Sequence, residues 1–204
     1  MELNNEQVDA LKEIGNIGAG NAATALGQLL EKKISINVPN VRLLSFDKFP
    51  KLQFLENPGE FSIAVSHRIL GELKGGLLIL FPQKSALSMI DILSHRKIGS
   101  TEIFSMLDES ALSESSNIIC CSYLNAIGQF LHLYQLIPSI ADTSISTIDK
   151  LTSVLTKRFV SPDVHHVLPI ENRLRIEDVE LSLFVIFMLE SESLSKVLSM
   201  LGMG

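Results

Sequence analysis

The sequence has little of what a nucleic-acid-binding protein needs. It contains no tryptophan and only two tyrosines, and its 17 lysines and arginines are outnumbered by 23 aspartates and glutamates. The formal net charge is −6, and no run of basic residues interrupts that balance. Binding to nucleic acid usually needs a basic surface, and single strands also need aromatic stacking groups. We therefore expect no nucleic acid partner.

Cysteine is almost as scarce, and its placement excludes two common uses. Cys120 and Cys121 are the only two, and they are adjacent in a segment with helical periodicity. Neighbouring side chains on a helix point roughly 100° apart, so the two cysteines cannot form a disulfide that stabilises the fold. Two thiols alone also do not build a zinc site. We expect small, partly buried packing residues in a reducing compartment.

Long apolar runs are also missing. The longest, Leu183–Leu189, is far too short to cross a bilayer. The first residues, MELNNEQVDALKE, lack the basic start and apolar stretch of a signal peptide. We therefore expect a cytoplasmic protein without a membrane partner. With 204 residues, 46% of them apolar, the chain can build a sizeable core, and we predict a single domain over residues 1–204.

An amphipathic helix near the start of the chain carries the first distinctive pattern. Asp9, Glu13 and Asn16 stand at i, i+4 and i+7, within about 60° of one another on a helix surface. On a single helix, such residues would usually be ordinary solvated surface. The opposite side collects apolar and small residues: Leu11, Ile14, Gly18, Ala22, Ala25 and Leu29.

The same pattern recurs 101 residues later at Ser110, Glu114 and Asn117. Aligning EIGNIGAGNAATALGQLL with ESSNIICCSYLNAIGQFL pairs Glu with Glu and Asn with Asn. Packing does not require an exposed Glu-x-x-Asn, so its recurrence predicts a functional site on each helix. The second helix again has an opposing apolar stripe: Leu112, Ile119, Tyr123, Ala126 and Phe130.

The remaining segments repeat as well, with the last helix matching the helix after Pro82 at an offset of 108 residues. We predict an α+β fold by internal duplication, with halves of about 1–100 and 101–204. The halves share one mainly antiparallel sheet, two long helices pack on it, and a pseudo-twofold relates them. The predicted helices are Asn4 or Asn5 to about Leu30 or Lys32, Pro82 to about His95, Asp108 or Ser110 onward, Thr147–Lys157, and a closing helix containing Leu194 and Leu201. The predicted strands are Ile34–Val38, Phe61–His67, Lys74–Phe81, His132–Ile137, Val164–Pro169 and Glu180–Leu189. Leu43–Glu60 is predicted to be an irregular excursion or a weak edge strand.

The first helix resembles a known motif. The segment E-I-G-N-I-G-A-G-N-A-A, with an acidic residue four before the Glu and a proline twenty-three after the Asn, resembles the CheC family. These are chemotaxis phosphatases that act on the phosphorylated response regulator CheY. Their pattern is Asp or Ser, three residues, Glu, two residues, Asn, twenty-two residues, Pro. Asp9, Glu13, Asn16 and Pro39 match it in full.

The second helix matches the same pattern with two departures. Ser110, Glu114 and Asn117 fit, but Pro138 comes two places early, and Ser115-Ser116 stand where the first helix has Ile-Gly. The resemblance spans essentially the whole chain. CheX-type phosphatases and the flagellar switch proteins FliM and FliY are related, but CheX carries one working helix and FliM and FliY carry a further C-terminal module.

The resemblance implies the hydrolysis of an aspartyl phosphate, which needs a positioned in-line water and little general-base help. An asparagine amide can orient that water as glutamine does in GTPases. The resemblance also implies that the glutamate contacts the active-site lysine of the regulator. We therefore expect Glu13, Asn16, Glu114 and Asn117 to be catalytic, with Asp9 and Ser110 as substrate-docking contacts.

The resemblance implies no cofactor or metal held by this chain, since Mg²⁺ in this reaction belongs to the response regulator. Phosphorylated CheY is the expected partner, the deamidase CheD a further one, and a monomer the expected state. The alternative is a non-catalytic adaptor that binds a response regulator or CheD. The paired asparagines favour the enzyme, because a docking surface has no special need of a carboxamide at both positions.

Overall fold

The computed structural model describes residues 4–45, 48, 61–147, 150–151 and 166–201, and this part of the chain contains four helices and eight strands. Every strand pairing in it is antiparallel, which confirms the α+β prediction. The elements are α1 (Asn5–Leu30), β1 (Ile34–Val41), β2 (Leu44–Ser45), β3 (Phe61–Gly71), β4 (Gly75–Pro82), α2 (Gln83–Leu93), α3 (Met106–Leu131), β5 (Leu136–Pro138), β6 (Asp142–Thr147), β7 (His166–Ile176), β8 (Val179–Leu189) and α4 (Ser191–Met200).

The strand order is symmetric about the middle of the sheet. It runs β1-β7-β8-β4-β3-β5, with β2 also paired to β7 and β6 also paired to β3. If each strand is exchanged with its counterpart in the other half (β1 with β5, β2 with β6, β3 with β7 and β4 with β8), the same strand order results, read from the opposite edge of the sheet. At the centre Leu78 pairs with Ile186, and these residues are separated by the 108-residue offset of the repeat. This order is what a pseudo-twofold between the halves requires, whereas their descent from one duplicated unit stays a prediction.

The four described helices pack on one face of the sheet, although the central strands are apolar on both faces. Leu77 and Ile79 of β4 point into the main core with the helices, whereas Leu78 and Leu80 join a second, smaller cluster on the opposite face. Alternation along a strand sends successive side chains to opposite faces. The main cluster contains residues from α1, α3 and strands of both halves, so the halves share one core.

The buried stripe of α1 differs from the predicted one in its last turns. Leu11, Ile14, Gly18 and Ala22 are buried as expected, but Leu29 is exposed. The buried residues in these turns are Leu26 and Leu30, each one position after the predicted Ala25 and Leu29. On α3 the predicted Phe130 is likewise partly exposed. Over long helices a 3.6-residue period drifts around the axis, so the contacting face moves along its length.

Both long helices begin with a capping box. Asn4 caps α1 by accepting from the backbone N–H of Gln7, whose side chain bonds back to Asn4. Ser105 and Asp108 form the equivalent pair on α3, so that helix starts at Met106, before the predicted Asp108 or Ser110. Asp108 is the third residue of the helix and the second member of the capping box. An aspartate at this position is easily mistaken for the N-cap itself.

The repeated Gly27 and Gly128 have the same structural reason. Each long helix ends in a left-handed residue, and the chain then folds back onto the last turn. A Cβ on Gly27 would lie 3.1 Å from the carbonyl oxygen of Lys32, and a Cβ on Gly128 would lie 2.9 Å from that of Leu133. A Cβ at Gly128 would therefore force the backbone to shift, and a Cβ at Gly27 would be tightly crowded.

Several predicted boundaries were wrong at the strand ends. β1 continues through Pro39 because the pairing with β7 shifts register between Asn37 and Asn40, where proline interrupts no ladder hydrogen bond. β5 starts at Leu136 because His132 is the left-handed cap of α3. β3 and β7 extend to Gly71 and Ile176, beyond the predicted ends. Most of the predicted helix Thr147–Lys157, the start of Val164–Pro169 and most of Leu43–Glu60 lie outside the described residues, although Thr147 itself ends β6.

One tyrosine joins α1, α3 and the sheet. The ring of Tyr123 on α3 is fully buried against Gly18 of α1, and its hydroxyl donates to the amide oxygen of Asn172 on β7. The amide of Asn172 in turn donates to the carbonyl of Ile170 at 2.9 Å, so both of its ends are bonded. Burial raises the pKa of Tyr123, and the hydrogen bond to Asn172 only partly opposes that shift. The hydroxyl therefore stays protonated as a donor.

We expect Gly18→Ala and Gly20→Ala to change stability in opposite directions. A Cβ on Gly18 would lie 2.7 Å from Cδ1 of Tyr123, whose ring is tethered and cannot move aside, so the variant should lose about 1–3 kcal/mol. A Cβ on Gly20 would meet nothing within 4 Å, so that variant should gain up to about 1 kcal/mol in helix propensity. Urea denaturation of both variants gives the two free energies of unfolding. Equal effects would contradict the packing described for Gly18.

Candidate functional site

Asp9, Glu13 and Asn16, which we call the α1 triplet, lie on the solvent-facing side of α1. All three are exposed, while Leu11 and Ile14 between them are buried. No hydrogen bond or ion pair to another described residue involves any of the three side chains. The α1 triplet is therefore not needed for packing and is open to a partner.

Ser110, Glu114 and Asn117, the α3 triplet, are more enclosed. Ser110 and Glu114 are exposed, whereas Asn117 is half-buried. The hydroxyl of Ser110 donates to the carbonyl of Met106 at 3.1 Å, and the amide oxygen of Asn117 accepts from the thiol of Cys121 at 3.8 Å. The structure thus brings each predicted triplet together on its own helix, but in different surroundings.

The α3 triplet lines a cavity of about 510 Å³. The opposite wall is residues 138–141, which end β5 and lead into β6. The remaining lining residues are Ser113, Pro138, Ser139, Ile140 and Ala141. The sequence singles out Pro138 as the proline of the family pattern, and Ser113 could have been found because it lies three residues after Ser110 on the same helix. No motif or spacing signals Ser139, Ile140 or Ala141.

Hydrogen bonds to β3 and α3 hold this loop in place. The carbonyl of Ser139 accepts from Nδ1 of His67 at 3.0 Å, and its hydroxyl accepts from the backbone N–H of Arg68 at 2.9 Å. The hydroxyls of Ser113 and Thr143 are 2.8 Å apart and hydrogen-bonded. The cavity wall is therefore a fixed part of the fold.

His67 is a buried base behind that wall. Burial lowers its pKa, and the hydrogen bond to the Ser139 carbonyl opposes that effect only in part. The ring is therefore neutral at pH 7, with the proton on Nδ1 and Nε2 buried without a partner among the described residues.

The two cysteines behave as packing residues, as predicted. Cys120 is buried and Cys121 half-buried, and both are free thiols. Burial raises the pKa of Cys121, and the negative charge of Glu114 raises it further. The thiol of Cys121 therefore remains protonated and can donate to Asn117.

The start of α3 is tied to α2 by a buried acidic network. Burial alone would raise the pKa of Asp91, but hydrogen bonds from Thr101, Gly99 and Ser100 outweigh it and lower that pKa. Arg96 bonds to Thr101 and, at 3.1 Å, to Asp108 of the capping box. This network fixes the first turn of α3, from which the α3 triplet follows.

Across residues 4–45, 61–147 and 166–201, no group of three or more His, Cys, Asp or Glu side chains is placed to hold a metal ion. No helix in the same part of the chain is long and apolar enough to span a membrane.

Sequence comparison matches residues 6–42, which contain the α1 triplet, to the CheC-like family. The chain is 34% identical over 158 residues to the CheY-P phosphatase CheC of Bacillus subtilis, covering 74% of this chain and 72% of that protein. It is also 29% identical over 92 residues to the flagellar motor switch phosphatase FliY of the same organism, covering 45% of this chain and 23% of FliY.

Structural comparison finds the same fold in flagellar proteins. The crystal structure of Thermotoga maritima FliY superposes with a TM-score of 0.79 at 22% identity, covering 99% of this chain and 98% of that one. The FliM–SpeE complex of Helicobacter pylori gives a TM-score of 0.70 at 15% identity, covering 98% and 97%. At these identities the likeness establishes the fold alone.

We expect His67 to make stability fall as the pH is lowered. Its pKa is lower in the folded protein than in the unfolded chain, where it is about 6.5. Below that pH the unfolded chain binds a proton that the folded protein does not, and this stabilises the unfolded state relative to the folded one. The free energy of unfolding should be highest above that pH and fall below it, until His67 protonates in the folded state too. Denaturation at a series of pH values, compared with His67→Gln, isolates the effect. The variant should have the flatter profile; matching slopes would rule His67 out as the cause.

Proposed function

Because this chain belongs to the CheC-like family, we propose that it is a phosphatase that hydrolyses the aspartyl phosphate of a CheY-type response regulator. The Bacillus subtilis relative of that name supports the reaction class. The observation that carries the proposal is the repeated Glu-x-x-Asn pattern on the outer side of each long helix, exposed on α1 and, at Asn117 of α3, half-buried beside the cavity. A stable fold does not require either of them.

Each asparagine orients the attacking water. Hydrolysis of an acyl phosphate proceeds through a loose transition state, so fixing the water in line accounts for most of what a protein can add. Asn16 is exposed and can enter a partner's site, while the half-buried Asn117 lines the α3 cavity. An amide suits this role because it can both accept from and donate to a water.

Each glutamate docks the helix to a basic group of the regulator. Glu13 and Glu114 stand one turn before the asparagines and are exposed carboxylates, which are negative at neutral pH. A fixed negative charge is attracted to a lysine at the partner's phosphorylation site. Asp9 and Ser110, a further turn back, are the next contacts along the same stripe, and Ser110 keeps acceptor capacity because its hydroxyl proton is donated to Met106.

The metal in this mechanism is the Mg²⁺ of the regulator, which neutralises charge on the phosphoryl group. This chain contributes the amide, the carboxylate and the helix that carries them. CheD as a second partner and a monomeric state stay predictions. An adaptor would have the same docking faces but would need no amide. Replacing the two asparagines by alanine therefore separates the two hypotheses.

We expect the double variant Asn16→Ala/Asn117→Ala to lose roughly a hundredfold of the acceleration of CheY-P decay, about 2.7 kcal/mol of transition-state stabilisation. Each single variant should keep the activity of the other site. The measurement is the decay of phosphorylated CheY in the presence of Mg²⁺ and each variant.

Asn21→Ala and Asn125→Ala are matched controls, because both are exposed asparagines on the same two helices. They should leave the rate unchanged. If the unsubstituted protein binds CheY-P without accelerating its decay, the chain is an adaptor and the phosphatase proposal is wrong.

We expect Glu13→Gln and Glu114→Gln to act on binding. Removing the charge without changing the shape should raise KM at the affected site severalfold, with a smaller effect on kcat, because the lost attraction precedes the chemical step. Steady-state kinetics at two ionic strengths tests this, since the unsubstituted protein should weaken more with salt than the variants. Should kcat fall while KM stays constant, the glutamates take part in chemistry instead of docking.

A further inference from the structure

Three large apolar side chains beside the α3 triplet are largely exposed. We call Met106, Leu107 and Ile140 the apolar rim; their exposed fractions are 85%, 79% and 94%. Side chains of this size are costly to leave in water, and a cluster of them beside polar residues is typical of a binding surface.

The apolar rim is continuous with the candidate site. Met106 lies one turn before Ser110, and its backbone carbonyl accepts a hydrogen bond from the Ser110 hydroxyl. Leu107 lies seven residues, or about two turns, before Glu114 on the same side of the helix. Ile140 lines the cavity itself, opposite the α3 triplet. A protein that reaches the α3 triplet through this cavity therefore contacts Ile140, and Met106 and Leu107 extend the same surface toward the start of α3.

The α1 triplet has no such rim on its helix. At the 101-residue offset, Met106 and Leu107 correspond to Asn5 and Glu6, which are polar and exposed. The two helices present the same polar triplet with different leading turns.

The rim on α3 is also rigidly presented. Met106 and Leu107 occupy the first turn, which the Ser105–Asp108 capping box and the Arg96–Asp108 ion pair hold in place. Ile140 follows Ser139, whose backbone and side chain are both hydrogen-bonded to β3. The backbone that carries these side chains is therefore already ordered, so docking costs little backbone entropy there.

We propose that the apolar rim is a docking surface for the phosphorylated response regulator itself, and that it makes the α3 site the tighter-binding of the two sites. The inference rests on the proposed function, because it takes the occupant to be the protein whose phosphoryl group the α3 triplet meets. Rim side chains flank the triplet and do not reach the reacting atoms, so they change affinity and leave the chemical step unaltered.

The test uses Met106→Gln/Leu107→Gln, which keeps side-chain length and helix propensity but removes apolar area. It is made in two backgrounds: Asn16→Ala leaves the α3 site active, and Asn117→Ala leaves the α1 site active. With the α3 site active, the substitution should raise KM for CheY-P roughly tenfold with kcat unchanged. With the α1 site active, it should change neither constant. Leu29→Gln, an exposed apolar residue in the last turn of α1, is the matched control and should have no effect in either background.

A binding measurement separates this proposal from the proposed function. Titration with a regulator carrying beryllofluoride in place of the phosphoryl group needs no hydrolysis, and the rim variant should weaken one of two binding events about tenfold. If hydrolysis is absent but this weakening is seen, the docking proposal holds and the phosphatase proposal fails. An unchanged KM and unchanged titration would overturn the docking proposal, as would a dimer of this chain that the rim variant converts to a monomer.

Discussion

The fold depends on how closely the two long helices approach each other at Gly18. The absence of a side chain there lets the ring of Tyr123 lie against the backbone of α1, while its hydroxyl reaches Asn172 in the sheet. A buried hydroxyl without a partner would be costly, so this bond specifies where α3 sits as well as stabilising it. One side chain of the second half thereby positions a helix of the first half. Both triplets point outward because the opposite faces of α1 and α3 are committed to this contact and to the sheet.

The sheet makes the halves inseparable in a similar way. Its two central strands come one from each half, and the apolar side chains on their helix-facing side are covered by helices of both halves. Neither half could bury β4 or β8 alone. A chain built this way keeps the two helices at a constant relation to one common scaffold. A catalytic group on such a helix is held more precisely than one on a loop.

Approximate symmetry in the core does not extend to the surface. Glycine is favoured at both Gly27 and Gly128 because the turn after each long helix returns so closely that a Cβ would be crowded. No such restriction acts on the leading turns of the helices or on the segment after β5. Asn5 and Glu6 can therefore stand where the other half has Met106 and Leu107, and Ile140 can project beside Asn117. The same polar triplet is thus offered in two settings, one open and one enclosed.

The sequence by itself determined the two triplets, the helices that carry them and the α+β class, because helical and strand periodicities are local and each triplet spans only two turns. It also placed Gly18 on the packed side of the first helix. Strand ends were less predictable: Pro39 is tolerated only because the pairing with β7 shifts register, and that shift belongs to two distant segments. The cavity beside Asn117 was beyond reach for the same reason. Its wall is residues 138–141, whose position is decided by hydrogen bonds to His67 and Arg68 about seventy residues earlier. Contacts of that kind exist only once the sheet has formed, so the tertiary structure alone decided which site is enclosed.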